Sequence, residues 1–187
     1  METRIIATVV MRILILVSSC YLISCGGHMR TYDDNFSLYG DSSINQFVLR
    51  DTSSFASISN MPKIVDDFNI GEFIGFSNAS STEFVLLVRE YGGLDKQFDY
   101  FYLTDSIPQE YVGQVVTLPD SSFHTTLGAY IGCSEKEFCD KYRKINFSVS
   151  RHTAGNTYTF QDSINLYRSV YKFTHGHLSY VEFGYVW

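Results

Sequence analysis

Short runs of aromatic and β-branched residues follow one another through the C-terminal two thirds of the chain. Residues 68–76, 83–90 and 98–103 are such runs, and turn-forming sequences rich in Ser, Asn and Gly separate them. This pattern predicts consecutive antiparallel strands. Residues 112–118, which end at a proline, are a further candidate strand. Two more runs, residues 166–173 and 178–186, predict a C-terminal β-hairpin.

The hairpin loop lies in the sequence Thr174-His175-Gly176-His177. A two-residue His-Gly loop can supply the positive φ angles of a primed turn, although less favourably than Asn-Gly. The register that follows sets Tyr171 opposite Tyr180 and Val170 opposite Val181. Both are favourable cross-strand pairs.

One segment is predicted to be helical. Ser134 and Glu137 have the spacing of a capping box, and Cys133 and Phe138 occupy the positions of a hydrophobic staple. Phe138 and Tyr142, four residues apart, would share the buried face of the helix. The order of strands, one helix and more strands predicts an α+β fold, with one short capped helix packed on a face of an antiparallel sheet.

The N-terminus has the pattern of a secretory leader. Arg12 precedes an apolar run at residues 13–23, which is shorter than the roughly 20 residues that a membrane-spanning helix needs. The sequence Leu22-Ile23-Ser24-Cys25 then resembles the lipobox of bacterial lipoproteins. The resemblance implies that residues 1–24 are a signal peptide and that the Cys25 thiol carries a diacylglyceryl group. Met11, directly before Arg12, is the more suitable translation start than Met1.

A lipidated Cys25 would hold the protein at a membrane of the cell envelope, with the folded part in the periplasm or on the cell surface. Residues 25–62 are rich in Ser, Asp and Asn and predict a flexible tether, within which residues 47–49 can dock as a short strand. Residues 63–187 are predicted to form a single globular domain.

Composition narrows the range of partners. The formal net charge of −6 offers no basic patch for phosphates, so nucleic-acid binding is not expected. The chain has 14 Tyr and 15 Phe, which favour strands. Most of these rings are expected to form core and cross-strand pairs, but rings on a surface can also stack on sugars.

The last third of the chain carries a second resemblance. The segment at residues 127–138, with its glycines and capped Ser-Glu-Lys-Glu helix start, precedes the hairpin Tyr171-Lys172-Phe173-Thr174-His175-Gly176-His177-Leu178. Together they resemble the SmpA/OmlA and β-lactamase-inhibitor-like module and uncharacterised lipoproteins of Bacteroidetes type. The resemblance covers residues 124–187. It implies a non-enzymatic envelope protein that works by contacting another protein.

Candidate ligands for a metal are few. His175 and His177, together with His152 or His124, could surround an ion, but a solvated turn is the more economical interpretation. We therefore predict no metal ligand.

Cys133 and Cys139 could pair in an oxidising compartment. Their spacing across the start of the helix strains a disulfide, and two small apolar core residues are the favoured alternative.

No catalytic pattern is recognisable. Gly75-Phe76-Ser77-Asn78-Ala79 lacks the second glycine of a nucleophile elbow. Cys139 lies within the predicted helix, where a buried thiol is inert. We predict no enzyme and no cofactor. The sequence favours a protein-binding or scaffolding component of the envelope, with a carbohydrate-binding accessory lipoprotein as the alternative and a hydrolase with an unrecognised site as the third choice.

Overall fold

A computed structural model describes residues 40–56, 58, 64–66, 71–89 and 98–186, with the backbone alone at residues 64–66 and 71. The described part is mostly β structure with two short helices. The elements are, in chain order, β1 (Ser43–Ile44), β2 (Phe47–Val48), β3 (Ile64–Asp66), β4 (Gly71–Ser77), β5 (Phe84–Arg89), β6 (Tyr100–Thr104), α1 (Gln109–Val112), β7 (Val116–Thr117), α2 (Glu135–Lys141), β8 (Ser148–His152), β9 (Gly155–Asp162), β10 (Tyr167–Thr174) and β11 (His177–Tyr185).

Among these residues, one large sheet has the strand order β3-β4-β5-β6-β11-β10-β9-β8. All neighbours on this path are antiparallel, and β7 pairs with β4 in parallel. The strands predicted at residues 83–90 and 98–103 are confirmed in substance. The strand predicted at residues 112–118 is confirmed only at β7, because a helical turn that follows Pro108 extends to Val112. Pro108 is the N-cap residue of α1, with a φ of −51° and a ψ of 140°, so its missing amide hydrogen costs the helix no hydrogen bond.

The C-terminal hairpin has the predicted loop and a different register. His175 and Gly176 have φ angles of 52° and 80°, as a two-residue primed turn requires. Two pairs away from the turn, a bulge between Lys172 and Phe173 shifts the register and sets Tyr171 opposite Val181. The predicted Tyr171–Tyr180 and Val170–Val181 pairs are therefore wrong, because one extra residue shifts every later pair.

We call the side of the sheet that carries α2 the core face. The predicted helix start is confirmed, since the Ser134 hydroxyl accepts a hydrogen bond from the Glu137 amide at 3.2 Å. Phe138 is buried in an aromatic cluster, with ring centroids 4.3 Å from Tyr142, 4.8 Å from Tyr171 and 5.1 Å from Phe173. The helix is held on the sheet by these apolar contacts.

The flexible tether predicted at residues 25–62 is wrong for the part of it that the structure describes, residues 40–56 and 58. Ile44, Phe47 and Phe55 are buried in the same core as the helix. The ring of Phe47 stacks on that of Phe76 at 4.9 Å. Apolar side chains three to eight residues apart are thus enough to dock a segment whose composition is otherwise that of a linker. Residues 25–39 lie outside the described part.

We call the side of the sheet opposite α2 the outer face. Over the N-terminal strands of the sheet, α1 and the residues after it pack on this face. Tyr111 of α1 packs edge-on against Phe73 at 5.3 Å. A Cβ at Gly75 would lie 2.6 Å from Val115 Cγ1, so this close approach requires glycine. Within the described residues, no helix is long and apolar enough to cross a membrane.

Candidate binding surface

The outer face of β9, β10 and β11 carries mainly polar side chains, and we call it the open surface. Cross-strand register brings Val170 opposite both Thr159 and Glu182, and Lys172 opposite both Thr157 and Tyr180. All of these side chains except Val170 are partly or fully exposed. The open surface consists of Thr157, Thr159, Gln161, Arg168, Val170, Lys172, Tyr180 and Glu182.

Glu182 lies at the centre of the open surface. Its side chain is 14% exposed and accepts a hydrogen bond from the Tyr180 hydroxyl. Arg168 Nη1 lies 3.5 Å from Glu182 Oε1 across the strand pair. Burial, with the hydrogen bond to Glu182 as the second cause, raises the pKa of Tyr180 above its ordinary value. The carboxylate is thus fixed in place while its arginine partner still reaches solvent.

Aromatic rings fix the geometry around this carboxylate. The ring of Tyr102 lies 5.2 Å from that of Tyr100 and 6.1 Å from that of Tyr180. Lys172 Nζ lies 4.1 Å from the centroid of Tyr180, within the range of a cation–π contact. Such a surface holds hydrogen-bond donors, an acceptor and ring edges in fixed positions. A ligand or a partner protein can therefore bind it with little loss of conformational entropy.

A second carboxylate cluster lies in the core. Asp41 is fully buried, and Oδ2 accepts hydrogen bonds from the hydroxyls of Tyr142 at 2.5 Å and Tyr171 at 2.7 Å. Oδ1 accepts from the Leu127 amide at 2.8 Å. Burial raises the pKa of Asp41, and the hydrogen bonds act in the opposite direction. The cluster is closed to solvent and joins three distant parts of the chain.

The four histidines considered as metal ligands contact different parts of the chain. His177 Nδ1 is 3.0 Å from the Gly132 carbonyl oxygen, and the ring of His124 packs on Tyr130 at 5.1 Å. His175 occupies the hairpin turn and His152 ends β8. Within the described ranges, no three His, Cys, Asp or Glu side chains come close enough together to hold a metal ion.

The other residues considered for a disulfide or for catalysis make contacts that serve the fold. Cys133 is a buried free thiol, so it forms no bridge with Cys139. Cys139 is itself disulfide-bonded, so the prediction of an inert thiol there is wrong, and its Sγ lies 3.8 Å from the Tyr158 hydroxyl oxygen. The Ser77 hydroxyl donates to Thr117 Oγ1 at 3.1 Å, across the β4–β7 pair. Cys25, its lipobox and Met11 lie outside the described residues.

Of the residues that compose the open surface, only Val170 and Tyr180 are named from the sequence as cross-strand partners, and none is predicted to bind a partner. A signal was present, because Glu182 interrupts the apolar series Val181, Phe183, Tyr185 at a position of opposite facing. Its neighbour across the strand pair could not be identified, because the bulge after Lys172 moves the register.

Comparison with known proteins adds no relative. The chain matches no protein-family model. It also matches no curated protein and no solved structure.

Proposed function

We propose that this chain is a membrane-anchored component of the bacterial cell envelope that binds another protein without catalysing a reaction. The anchor is lipid on Cys25, and the folded part is an α+β domain related to the SmpA/OmlA and β-lactamase-inhibitor-like module. Binding takes place on the open surface. The single observation that carries this assignment is the exposure of a pre-organised polar and aromatic cluster around Glu182 on an otherwise well-packed sheet.

The chemistry of the open surface suits recognition better than turnover. Arg168 and Lys172 are long cationic side chains held over Glu182 and Tyr180, respectively. Arginine and tyrosine are enriched at the energetic centres of protein interfaces. Ser77, the one residue with a partial nucleophile motif, donates its hydroxyl to Thr117 and has no histidine among its described partners.

The test is affinity capture from detergent-solubilised envelopes with the immobilised full chain. Lys172→Glu reverses one charge on the open surface, and Lys136→Glu makes the same change on the exposed side of α2, away from that surface. We expect wild type and the Lys136 variant to retain one stoichiometric protein, and the Lys172 variant to lose about thirtyfold in affinity, as for a hot-spot position. Recovery of no stoichiometric protein, or equal recovery by both variants, contradicts the proposal.

A carbohydrate ligand is the second candidate. The half-buried rings of Tyr102 and Tyr180 lie beside a carboxylate and a guanidinium, a combination that also recognises sugar hydroxyls. Glycan-array binding that disappears with Tyr180→Ala and persists with Lys136→Glu would favour this alternative over a protein partner.

Anchoring is tested separately by mass spectrometry of the native protein. We expect a mature chain that begins at Cys25 with thioether-linked lipid. A mature chain that retains residues 1–24, or a Cys25 without lipid, removes the membrane from the proposal and leaves the binding surface as it is.

A further inference from the structure

β8 forms one edge of the large sheet. Within the described residues it pairs with β9 alone, in one unbroken register, and all five of its side chains are exposed. Edge strands that face only solvent are usually protected by a proline, a bulge or charged side chains. β8 has the sequence Ser-Val-Ser-Arg-His, without a proline or a bulge. Its one apolar residue, Val149, is 36% exposed, and its one arginine, Arg151, lies toward one end.

The backbone of β8 is able to pair with a further strand. The turn at residues 153–154 has two residues, so the pair His152–Gly155 that closes it is a hydrogen-bonded pair. Along antiparallel strands, hydrogen-bonded pairs alternate with pairs whose amides and carbonyls point away from the partner strand. The amides and carbonyls of Val149 and Arg151 therefore point away from β9, in the plane of the sheet.

The residues along this edge are complementary to themselves. Suppose that two β8 strands run antiparallel, with Val149 opposite its own copy. Ser148 then lies opposite Ser150 of the second copy, and Phe147 lies opposite Arg151 of the second copy. These pairs join an apolar side chain with an apolar one, a hydroxyl with a hydroxyl, and a ring with a cation. No two charges of the same sign lie directly opposite each other between residues 147 and 151.

We propose that two copies of this chain pair through β8 and form one continuous sheet across a two-fold axis at Val149. A second copy is the occupant because this register matches every residue from 147 to 151 with a suitable partner, and a two-fold axis repeats each match. A pair of short strands is a small interface, so the dimer forms reversibly and depends on concentration.

The dimer would change what the open surface presents. Antiparallel neighbours in one sheet are related by an axis perpendicular to the sheet, so the open surfaces of both copies lie on the same side. Ser148 and Ser150 pair with Thr159 and Thr157 of β9, so polar residues continue across the junction. A partner with two binding sites would therefore gain avidity. The dimer itself does not depend on the proposed function.

The first test is the mass of the full chain in detergent, measured by sedimentation velocity over a wide range of protein concentration. Val149→Lys places two cations opposite each other at the axis. Val112→Lys is the matched control, because Val112 is 41% exposed and lies on α1. We expect wild type and the control to change from monomer to dimer as concentration rises. The Val149 variant should dimerise at least about tenfold more weakly, because like charges that face each other are costly.

Thermal unfolding shows whether the variants are folded, and equal midpoints are expected because both valines are exposed. A wild type that stays monomeric at every concentration overturns the proposal. A Val149 variant that dimerises as strongly as wild type places the interface elsewhere and also overturns it.

The second test measures the register by cross-linking and needs no change of charge. Val149→Cys sets a thiol on each copy at opposing Cβ positions about 5 Å apart, within reach of a short bismaleimide. His152→Cys, on the same strand, would lie about 20 Å from its own copy. We expect a cross-linked dimer for Val149→Cys alone, above the level given by the native cysteines of wild type. Cross-linking of the His152 variant, of neither variant, or of Val149→Cys to a different protein overturns the proposal.

Discussion

The sheet carries a tyrosine-bound carboxylate on each face, and the two differ in what they connect. Asp41, on the core face, is bound by Tyr142 and Tyr171, which are 101 and 130 residues away in sequence. Glu182, on the outer face, is bound by Tyr180, two residues away on the same strand. The first pattern holds separate parts of the chain together. The second shapes one patch of surface.

Burial separates the two sites energetically. A fully buried carboxylate is costly unless hydrogen bonds compensate it, so every partner of Asp41 contributes to stability. Glu182 remains 14% exposed and has the Arg168 guanidinium at 3.5 Å. Water and this cation together therefore offset the cost of burying its negative charge. Changes on the core face should therefore affect folding, and changes on the outer face should affect binding.

The largest expected effect lies in the aromatic cluster of the core face. Phe138→Ala removes a ring that packs against Tyr142, Tyr171 and Phe173. We expect a loss of about 3–5 kcal/mol in the free energy of unfolding, because the cavity cannot close around a helix of seven residues. Urea denaturation measures it. A loss below about 1 kcal/mol would mean that α2 contributes little to the core.

The next effect compares the two carboxylates directly. Asp41→Ala leaves two tyrosine hydroxyls and the Leu127 amide without their acceptor, and we expect a loss of about 3 kcal/mol. Glu182→Ala removes the acceptor of the Tyr180 hydroxyl, which can turn to water, and a weaker partner of Tyr100, and we expect about 1 kcal/mol or less. Chemical denaturation of both variants gives the two values. If they were equal, the distinction between the faces would be wrong.

The dependence of stability on pH sharpens the same distinction. Burial raises the pKa of Asp41 in the folded protein above the unfolded value of 3.8. The folded state therefore binds the proton more tightly, so stability from this group rises as pH falls through the folded pKa and levels off below 3.8. The slope is at most about 1.4 kcal/mol per pH unit.

Asp41→Asn is the control for this effect, because it keeps a carbonyl acceptor and cannot titrate. Asp51, Glu137 and Asp162 have lowered pKa values and act in the opposite direction, but they are common to both proteins. We expect the stability of wild type relative to the variant to increase as pH falls from 8 toward the unfolded pKa of Asp41. A difference that is constant with pH would assign Asp41 an ordinary pKa.

The contrast between the faces also explains what the sequence could predict. The capping residues Ser134 and Glu137 act over three positions, so the helix start was readable from the chain. The primed turn at His175 and Gly176 is equally local. The docking of Asp41 depends on partners more than 85 residues away in sequence, so no local sequence pattern predicts it. The open surface depends on a bulge that moves the register by one residue, which periodicity cannot reveal.

The smallest effect concerns two neighbours on β10 that point to opposite faces. Tyr171→Phe removes one hydrogen bond to Asp41 and should cost about 1–2 kcal/mol, because the buried carboxylate loses a donor. Lys172→Ala removes an exposed cation and its contact with the Tyr180 ring, and should change stability by less than about 0.5 kcal/mol. Thermal unfolding of the two variants supplies the stabilities. Affinity capture then asks whether Lys172→Ala weakens binding while Tyr171→Phe does not. Because the two side chains are neighbours on one strand and point to opposite faces, a Lys172 variant that lost stability instead of binding would make the open surface part of the framework of the fold.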